Sequence, residues 1–393
     1  MISIEEAREI IQNQQFEASS KIKNIADITK NDVLAKDLNA PVDLPLFSNS
    51  MMDGYVVGGV SDNYCVVGDI QAGDTKQYNL RDGEAYRIFT GAPTPANAFA
   101  VIMQELAERN ADSVSFKDEI IEGKNIRVKG DEVQKGQLVL PKGTVLTPGV
   151  IGLLASMGIT TCEVYTKPVI TILSTGDECK PADAILEFGQ IYESNGIMLQ
   201  KALEENGFDV KERAHVLDFY EITKVQIDGL LKTSDVLIVT GGISVGDHDH
   251  VGKCIRDLGV QQQIYQIRQK PGKPFYFGRL GNKAILALPG NPASSLTCLY
   301  QYGIPVIKLL SGIKNDEIFP VEIKMILSHQ HIKKSDRPEF LRSHYHYTDS
   351  KVDILTKQRS SMLHSYALAN CLVFLQEGIY ELEAGSTVTG YLI

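Results

Sequence analysis

Short apolar runs alternate with helical patterns through the middle of the chain. The apolar runs that predict strands lie at 169–173, 210–216, 236–240 and 284–288, and the helical patterns lie at 194–206, 219–231, 249–258 and 292–310. Strands that are apolar along their whole length, separated by helices, are typical of a parallel sheet covered on both faces. The pattern therefore predicts a doubly wound α/β domain in this part of the chain.

The segments on either side of this pattern favour strands. Ser3 and Glu6 fit a capping box, so a short amphipathic helix is expected at the start of the chain. After Pro41, short β-rich runs alternate with turn signals, and an apolar helix is expected at 149–159. After Gly312 the strand pattern returns, at 321–327, 341–347, 352–356, 372–375 and 387–391. We therefore expect one β-domain before the α/β domain and another after it.

Composition argues against several classes of protein. The 393 residues carry 49 acidic and 39 basic side chains, so a broad basic face for nucleic-acid phosphates is not expected. No apolar run reaches the roughly 18 to 20 residues of a membrane span, and the N-terminus lacks the pattern of a signal peptide. A cytoplasmic protein is expected. The six cysteines are scattered, which is typical of reduced thiols and not of zinc sites or disulfides.

Polar residues follow the first strand of the predicted sheet, at the edge where the carboxyl ends of parallel strands surround one crevice. Ser174, Thr175 and Gly176 are small residues that let backbone N–H groups approach an oxyanion closely. Asp177 and Glu178 bring two carboxylates, which suit Mg²⁺ together with substrate phosphates. The segment predicts an anion-and-metal site, and a solvated polar turn is the alternative.

A similar segment follows the strand at 236–240. Gly241, Gly242 and Ser244 continue into a loop that leads to a helix beginning near Asp249. The free N–H groups and the dipole of a helix N-terminus attract phosphate, so this segment predicts a second part of the same anion site.

Asp249 has two interpretations. As an N-cap it would satisfy the end of the helix, which is the commoner role for Asp at such a position. As a functional residue it would complete a Mg²⁺ or oxyanion site with Asp177 or Glu178. The flanking His248 and His250 do not favour a transition-metal site, because residues two apart face different ways on a helix.

Two further segments extend the predicted crevice. Lys270 and Lys273 stand in a proline-framed stretch, K-P-G-K-P, where fixed ammonium groups can bind an oxyanion. The turn P-G-N-P at 289–292 follows the last strand and suits the start of a helix, with Asn as N-cap and Pro at the first position. The convergence of these turns on one sheet edge makes an enzyme the leading interpretation.

The motifs together carry a family resemblance. The chain resembles the molybdopterin molybdenumtransferases, bacterial enzymes of molybdenum-cofactor synthesis that are related to the C-terminal domain of gephyrin. The matching segments, in the family's order, are N-S-M-M-D-G-Y (49–55), R-I-F-T-G-A-P-T-P (87–95), M-Q-E (103–105), S-T-G-D-E (174–178), G-Q-I-Y-E-S-N (189–195), T-G-G-I-S-V-G-D (240–247), K-P-G-K-P (270–274) and L-P-G-N-P (288–292).

The resemblance implies a domain organisation. It places a linking domain at 1–40 and 138–166, split by an inserted β-domain at 41–137, before a molybdopterin-binding α/β domain at 167–314 and a C-terminal β-barrel at 315–393. It also implies an elongated homodimer in which a loop with Asp53 reaches the partner's crevice. Transient contact with the molybdopterin adenylyltransferase or with cofactor-accepting enzymes is expected. No nucleic acid or membrane is expected as a partner.

The implied reaction joins adenylylated molybdopterin and molybdate, assisted by Mg²⁺, to give molybdenum cofactor and AMP. The resemblance assigns catalysis to Asp53, Asp177, Glu178, Asp249, Lys270 and Lys273, and Mg²⁺ to Asp177, Glu178 and Asp249. Substrate binding is assigned to Ser174, Thr175, Gly176, Ser194, Asn195, Gly241, Gly242, Ser244, Pro289, Gly290, Asn291 and Pro292.

The resemblance leaves two alternatives and shows some departures. Ser48 and Glu132 stand where the family commonly has Asp. One alternative is a molybdopterin adenylyltransferase, whose usual loop T-T-G-G-T-G differs from the sequence here. The other is a scaffold that keeps the fold without the chemistry, as in gephyrin's anchoring role.

Overall fold

The computed structural model describes residues 1–243, 250–314 and 316–393. The chain divides into two compact units. The first contains residues 1–35, 143–147 and 163–393, and the second contains residues 36–142 and 148–162. No helix of the described residues is long and apolar enough to cross a membrane.

A six-stranded sheet lies at the centre of the first unit. Its strands, in spatial order, are Val210–Val216, Ile170–Thr175, Val236–Thr240, Lys283–Leu288, Tyr276–Leu280 and Gln261–Tyr265. The first four are parallel, as the sequence pattern predicts. The last two are antiparallel and were not predicted, because Q-Q-Q-I-Y is polar and Gly278 interrupts the apolar pattern of the other strand.

Helices cover both faces of this sheet, which confirms the doubly wound prediction. The helices are Asn195–Glu205, Tyr220–Thr233, His250–Asp257, Pro292–Cys298 and Ile304–Leu310. Successive strand residues point to opposite faces, so each strand contributes to two cores. One core contains Ile172, Ile238 and Leu286 with Leu199, Leu203 and Leu296, and the other contains Leu173, Val239 and Ile285 with Ile227, Leu231 and Ile255.

The helix predicted at 292–310 is interrupted by a π-helical turn, Leu299–Gly303. Pro305 explains the interruption, because it has no N–H to donate to the carbonyl of Gln301 and its ring would clash with that carbonyl. A wider turn just before the proline relieves this conflict and lets the helix continue in nearly the same direction. The turn sets the direction of Tyr300 and Gln301.

A closed barrel ends the chain, which confirms the predicted C-terminal β-barrel. Its strands, in order around the barrel, are Glu322–Leu327, Lys351–Ile354, Glu339–His346, Cys371–Leu375 and Thr387–Leu392. Met325, Leu341, Val352, Val373 and Val388 fill its interior. A short pair, His331–Ile332 with Glu381–Leu382, and a 3₁₀ turn, Tyr366–Leu368, lie outside the barrel strands.

The N-terminal segment of the first unit is anchored locally. In helix Ile4–Gln12 the Ser3 hydroxyl accepts a hydrogen bond from the Glu6 N–H at 3.0 Å, and the Glu6 carboxylate accepts one from the Ser3 N–H at 2.7 Å, which confirms the capping box. Helix residues Ile4, Ala7 and Ile11 are buried. A 3₁₀ turn, Ile25–Asp27, follows strand Ser20–Asn24.

The second unit contains a six-stranded sheet. Its spatial order is Ala100–Met103, Gly54–Val57, Glu84–Ile88, Tyr64–Ile70, Ser113–Phe116 and Ala107–Asn110. Gly54–Val57 is buried throughout and was not predicted, because its residues lie in a segment interpreted as a polar turn. Two short strand pairs lie outside this sheet, Leu38–Asn39 with Leu138–Leu140 and Asn49–Ser50 with Ile126–Arg127. The unit also contains the 3₁₀ turn Gln104–Leu106 and helix Pro148–Ser156. Strand Thr161–Tyr165 begins in this unit and ends in the first.

Candidate active site at the strand ends

The carboxyl ends of the parallel strands surround a crevice of about 570 Å³ in the first unit. The turns that follow the strands ending at Thr175, Thr240 and Leu288 each contribute to its wall. Among the predicted residues, those that line it are Ser174, Thr175, Gly176, Glu178, Ser194, Asn195, Gly241, Gly242, Pro289, Gly290, Asn291 and Pro292. The strand-end rule therefore brings together segments that are separated by more than 100 positions in the sequence.

Asn195 ties the strand ends together. Its Nδ2 donates to the Thr240 hydroxyl at 2.9 Å and to the Gly290 carbonyl at 2.8 Å, so one amide links helix Asn195–Glu205 to the ends of two strands. Its Oδ1 is buried and has no hydrogen-bond partner among the described residues. A buried acceptor without a partner is unfavourable, so a ligand that donates a hydrogen bond here would stabilise the site.

Two glycines allow close approach of the strand-end loops. Gly241 and Gly242 have φ angles of 94° and 61°, a region that L residues with side chains rarely adopt. A Cβ on Gly241 would lie 2.7 Å from the Thr175 carbonyl oxygen, and one on Gly242 would lie 2.6 Å from Cγ2 of Val251. The backbone at this point therefore requires glycine.

Gly241→Ala is expected to lower the free energy of unfolding by about 2 kcal/mol or more relative to Gly290→Ala, because it combines a positive φ with contact to backbone. Gly290 is the matched control, since a Cβ there would meet Gly241 Cα at an ordinary 3.6 Å. Urea unfolding of both variants measures the difference. Equal stability of the two variants would contradict this account of the loop.

Carboxylates cluster at one side of the crevice. Oδ1 of Asp177 accepts a hydrogen bond from the Asp218 N–H at 3.0 Å, whereas the side chains of Glu178 and Asp218 line the crevice. Burial raises the pKa of Asp218, and the charges of Asp177 and Glu178 raise it further, while the Thr175 hydroxyl and His250 act in the opposite direction. The contributions of Asp177 and Glu178 place three carboxylates near one another here, and a bound cation would offset their charge.

The donor set suits Mg²⁺ bound together with a substrate. Among residues 1–243, 250–314 and 316–393, no group of three His, Cys, Asp or Glu side chains is arranged to hold a metal ion. Mg²⁺ does not need such a group, because it is typically held by one or two carboxylates plus waters and substrate phosphates. Glu178 and Asp218 fit this requirement. The predicted ligand Asp249 and the predicted substrate-binding residue Ser244 lie outside the described residues.

Cys179 lines the crevice beside these acids. Burial, and then the charge of Glu178, raises the pKa of its thiol to about 11. The thiol is therefore protonated at neutral pH. Since the thiolate is the form that binds soft metals and reacts as a nucleophile, Cys179 presents little of either character in the crevice.

The two predicted lysines lie in different surroundings. Lys270 forms an ion pair with Glu339 of the barrel at 2.9 Å, and its backbone N–H donates to the Pro338 carbonyl. Lys273 is exposed and forms no ion pair with a described residue. Neither lysine is part of the wall of the crevice, although Pro274, next to Lys273, is. Lys273 is thus the cation of this segment that can turn towards a ligand.

Asp53 lies in the second unit, where Thr90 fixes its carboxylate. Its Oδ1 accepts hydrogen bonds from the Thr90 N–H and the Thr90 hydroxyl, both at 2.8 Å. The backbone hydrogen bond, followed by the hydroxyl, lowers the pKa of Asp53 below its usual range. The carboxylate is therefore an oriented, ionised group on the surface of this unit.

Comparison with protein families covers almost the whole chain. Residues 2–158 match the MoeA N-terminal region (domain I and II), residues 171–309 match the probable molybdopterin binding domain, and residues 324–393 match the MoeA C-terminal region (domain IV). A molybdopterin molybdenumtransferase of Haemophilus influenzae is 33% identical over 99% of this chain and 98% of the relative. The chain belongs to the molybdopterin molybdenumtransferase family.

A further relative and two solved structures are similar to the chain over nearly its whole length. A protein of the same name from Staphylococcus aureus is 29% identical over 98% of this chain and 94% of its own length. Two crystal structures of molybdopterin biosynthesis MoeA proteins from Pyrococcus horikoshii match the chain with TM-scores of 0.80 and 0.83, at 28% and 24% identity. Both structures cover all of this chain, with 99% and 100% of their own chains matched.

The crevice of this molybdopterin molybdenumtransferase family member also contains residues that the sequence interpretation missed. Asp218 follows the strand Val210–Val216, which was predicted, so the strand-end rule applied to that strand would have found it. Glu193 lines the crevice and caps helix Asn195–Glu205 through the Gly196 N–H at 2.7 Å. Ser361 reaches the crevice from an irregular segment near the barrel, and no local pattern marks it.

Proposed function

We propose that this chain is an enzyme that inserts molybdenum during molybdenum-cofactor biosynthesis. Adenylylated molybdopterin and molybdate are the substrates, molybdenum becomes bound to the two dithiolene sulfurs, and AMP leaves. The observation that carries the proposal is the convergence of the family's strand-end motifs on one crevice of about 570 Å³, which has a size suited to a small-molecule substrate.

The crevice offers distinct groups to the two parts of the substrate. The glycine backbone at Gly241 and Gly242 allows a phosphate to approach closely, and the free Oδ1 of Asn195 accepts a hydrogen bond from a pterin or ribose donor. Lys273 supplies positive charge for molybdate or for the phosphate of the leaving AMP. These groups would hold the substrate with its phosphate near the carboxylates.

Glu178 and Asp218 would hold Mg²⁺ in this proposal, and Asp177 would position Asp218 through its backbone N–H. When bound, Mg²⁺ supplies positive charge that offsets the negative charge on the phosphate linkage that breaks. The protonated thiol of Cys179 does not compete with the substrate's sulfurs for molybdenum, because a thiol binds metals weakly compared with a thiolate.

The proposal includes a homodimer with a shared active site. Asp53 is ionised and oriented by Thr90, and a second copy of the chain would bring this carboxylate to the crevice. A cytoplasmic location and transient contact with the molybdopterin adenylyltransferase or with cofactor-accepting enzymes belong to the same proposal.

The protein incubated with adenylylated molybdopterin, Mg²⁺ and molybdate is expected to release AMP in step with molybdenum incorporation. Without molybdate, AMP release is expected to fall to background. Chromatography of AMP and metal analysis of the product measure both quantities. Formation of adenylylated molybdopterin from molybdopterin and Mg-ATP would instead support the adenylyltransferase alternative, and binding without turnover would support the scaffold alternative.

A further inference from the structure

A second cavity, of about 220 Å³, lies in the first unit and shares no lining residue with the crevice. Its polar side chains are those of Lys30, Glu205, Asn206, Tyr300, Gln301 and Lys308. None of these residues lies in the short motifs that carry the family resemblance, so those motifs give the cavity no role.

Helical spacing aligns part of this wall. Gln301 lies in the π turn Leu299–Gly303, and Ile304 and Lys308, four residues apart, lie on one face of the helix that follows it. Ile304 contributes apolar surface between the two polar groups. The cavity thus has an amide donor from the π turn and an ammonium group from the helix that follows it.

Gln301 is fully buried and only half satisfied. Its Oε1 accepts a hydrogen bond from Nη2 of Arg8 at 3.0 Å, which fixes the orientation of the amide. Its Nε2 is buried and has no hydrogen-bond partner among the described residues. Because buried donors are nearly always paired, the free N–H groups indicate that an acceptor belongs in this cavity.

Positive charge in the cavity also lacks a partner. Lys308 is half-buried and forms no ion pair with a described residue. Burial lowers the pKa of its ammonium group, the charge of Lys30 lowers it further, and Glu317 acts in the opposite direction. Nζ of Lys30 donates to the backbone carbonyl of Glu205 at 2.7 Å, so its charge is not neutralised. Burial raises the pKa of Tyr300 to about 12, which leaves its phenol as a neutral donor.

We propose that this cavity binds a small tetrahedral oxyanion, held by Gln301 Nε2, the Tyr300 hydroxyl and the ammonium groups of Lys308 and Lys30. Such an ion supplies the acceptor that the amide lacks and the negative charge that the lysines lack. The Glu205 side chain is exposed and also lines the cavity, where its charge opposes that of the two lysines. Phosphate and molybdate share the required shape and charge.

The test compares thermal unfolding in potassium phosphate and in potassium chloride of equal ionic strength. Phosphate is expected to raise the Tm of the wild-type chain, because a ligand that binds the folded state stabilises it. Lys308→Met is expected to weaken phosphate binding at least about tenfold, since a charge-assisted hydrogen bond is lost. In chloride this variant should be at least as stable as the wild-type chain, because burial disfavours the Lys308 charge.

Gln301→Glu is a second variant with an opposite signature. It keeps the acceptor for Arg8 and replaces the free donor by a carboxylate beside the lysines. We expect a higher Tm in chloride and a smaller response to phosphate than the wild-type chain shows. Lys324→Met, an exposed lysine of the barrel, is the charge-matched control and should respond to phosphate as the wild-type chain does.

A molybdate titration, followed by anomalous diffraction at the molybdenum edge, decides between the two ions. A molybdenum peak beside Lys308 that Lys308→Met removes would identify molybdate as a ligand, and its absence with a phosphate response would leave phosphate. An equal phosphate response in the wild-type chain, Lys308→Met and Gln301→Glu would overturn the proposal. None of these outcomes depends on AMP release, so this site and the proposed function fail separately.

Discussion

Glu178→Gln is expected to slow molybdate-dependent AMP release by roughly a hundredfold or more while the protein stays folded. Glu178 lines the crevice, and its carboxylate lies against Gly176, where a Cβ would come within 2.8 Å of Oε2. Glutamine has the same shape and removes only the negative charge. Because electrostatic groups at a breaking phosphate linkage contribute several kcal/mol to catalysis, loss of this charge should act mainly on kcat.

Glu187→Gln is the matched control for this variant. Glu187 is exposed, belongs to the same stretch of the chain and accepts a hydrogen bond from Gln190 that glutamine can keep. Steady-state AMP release at saturating molybdate, measured over a series of Mg²⁺ concentrations, separates the two variants. A rate for Glu178→Gln within threefold of the control would show that this carboxylate has no part in the reaction.

The position of the crevice could be predicted because parallel strands end at one sheet edge. Each run that predicts a parallel strand corresponds to a strand of the structure, and the turns after Thr175, Thr240 and Leu288 meet as that topology requires. Only local apolarity and chain direction were needed for this step. The same rule extends to Asp218, which follows the remaining parallel strand, Val210–Val216.

Contacts between distant segments could not be predicted in this way. Lys270 pairs with Glu339, 69 positions later in the sequence, so its ion pair depends on how the barrel meets the α/β domain. Gln301 is polar in an apolar helical run, and only the structure shows that its amide is buried against Arg8. Local patterns give elements and their order, whereas the partners of polar side chains depend on tertiary packing.

The carboxylates illustrate the same division. Asp177 and Glu178 are neighbours and were assigned one role, but their side chains have different surroundings in the structure. Asp177 holds the backbone N–H of Asp218, and Glu178 faces the crevice. Sequence identifies both as acids at a strand end, while the direction of each side chain follows from the turn between them.

A dimer in which both chains carry Asp53→Asn is expected to be nearly inactive. A mixed dimer, in which one chain carries Asp53→Asn and the other carries Glu178→Gln, is expected to recover activity. Asparagine keeps an oxygen that accepts both hydrogen bonds from Thr90, so the loop should hold its shape while the charge is lost. If Asp53 acts in the crevice of a second copy, a mixed dimer contains one site with both carboxylates intact and one site with neither.

Co-expression with two different affinity tags isolates the mixed dimer. Its molybdate-dependent AMP release should be about half that of the wild-type dimer, since one of two equivalent sites is restored. If both carboxylates instead came from the same chain, each chain of the mixed dimer would carry one defect and no activity would return. A mixed dimer that forms but stays as inactive as either parent would therefore place Asp53 outside a shared site, and a chain that stays monomeric would refute the dimer itself.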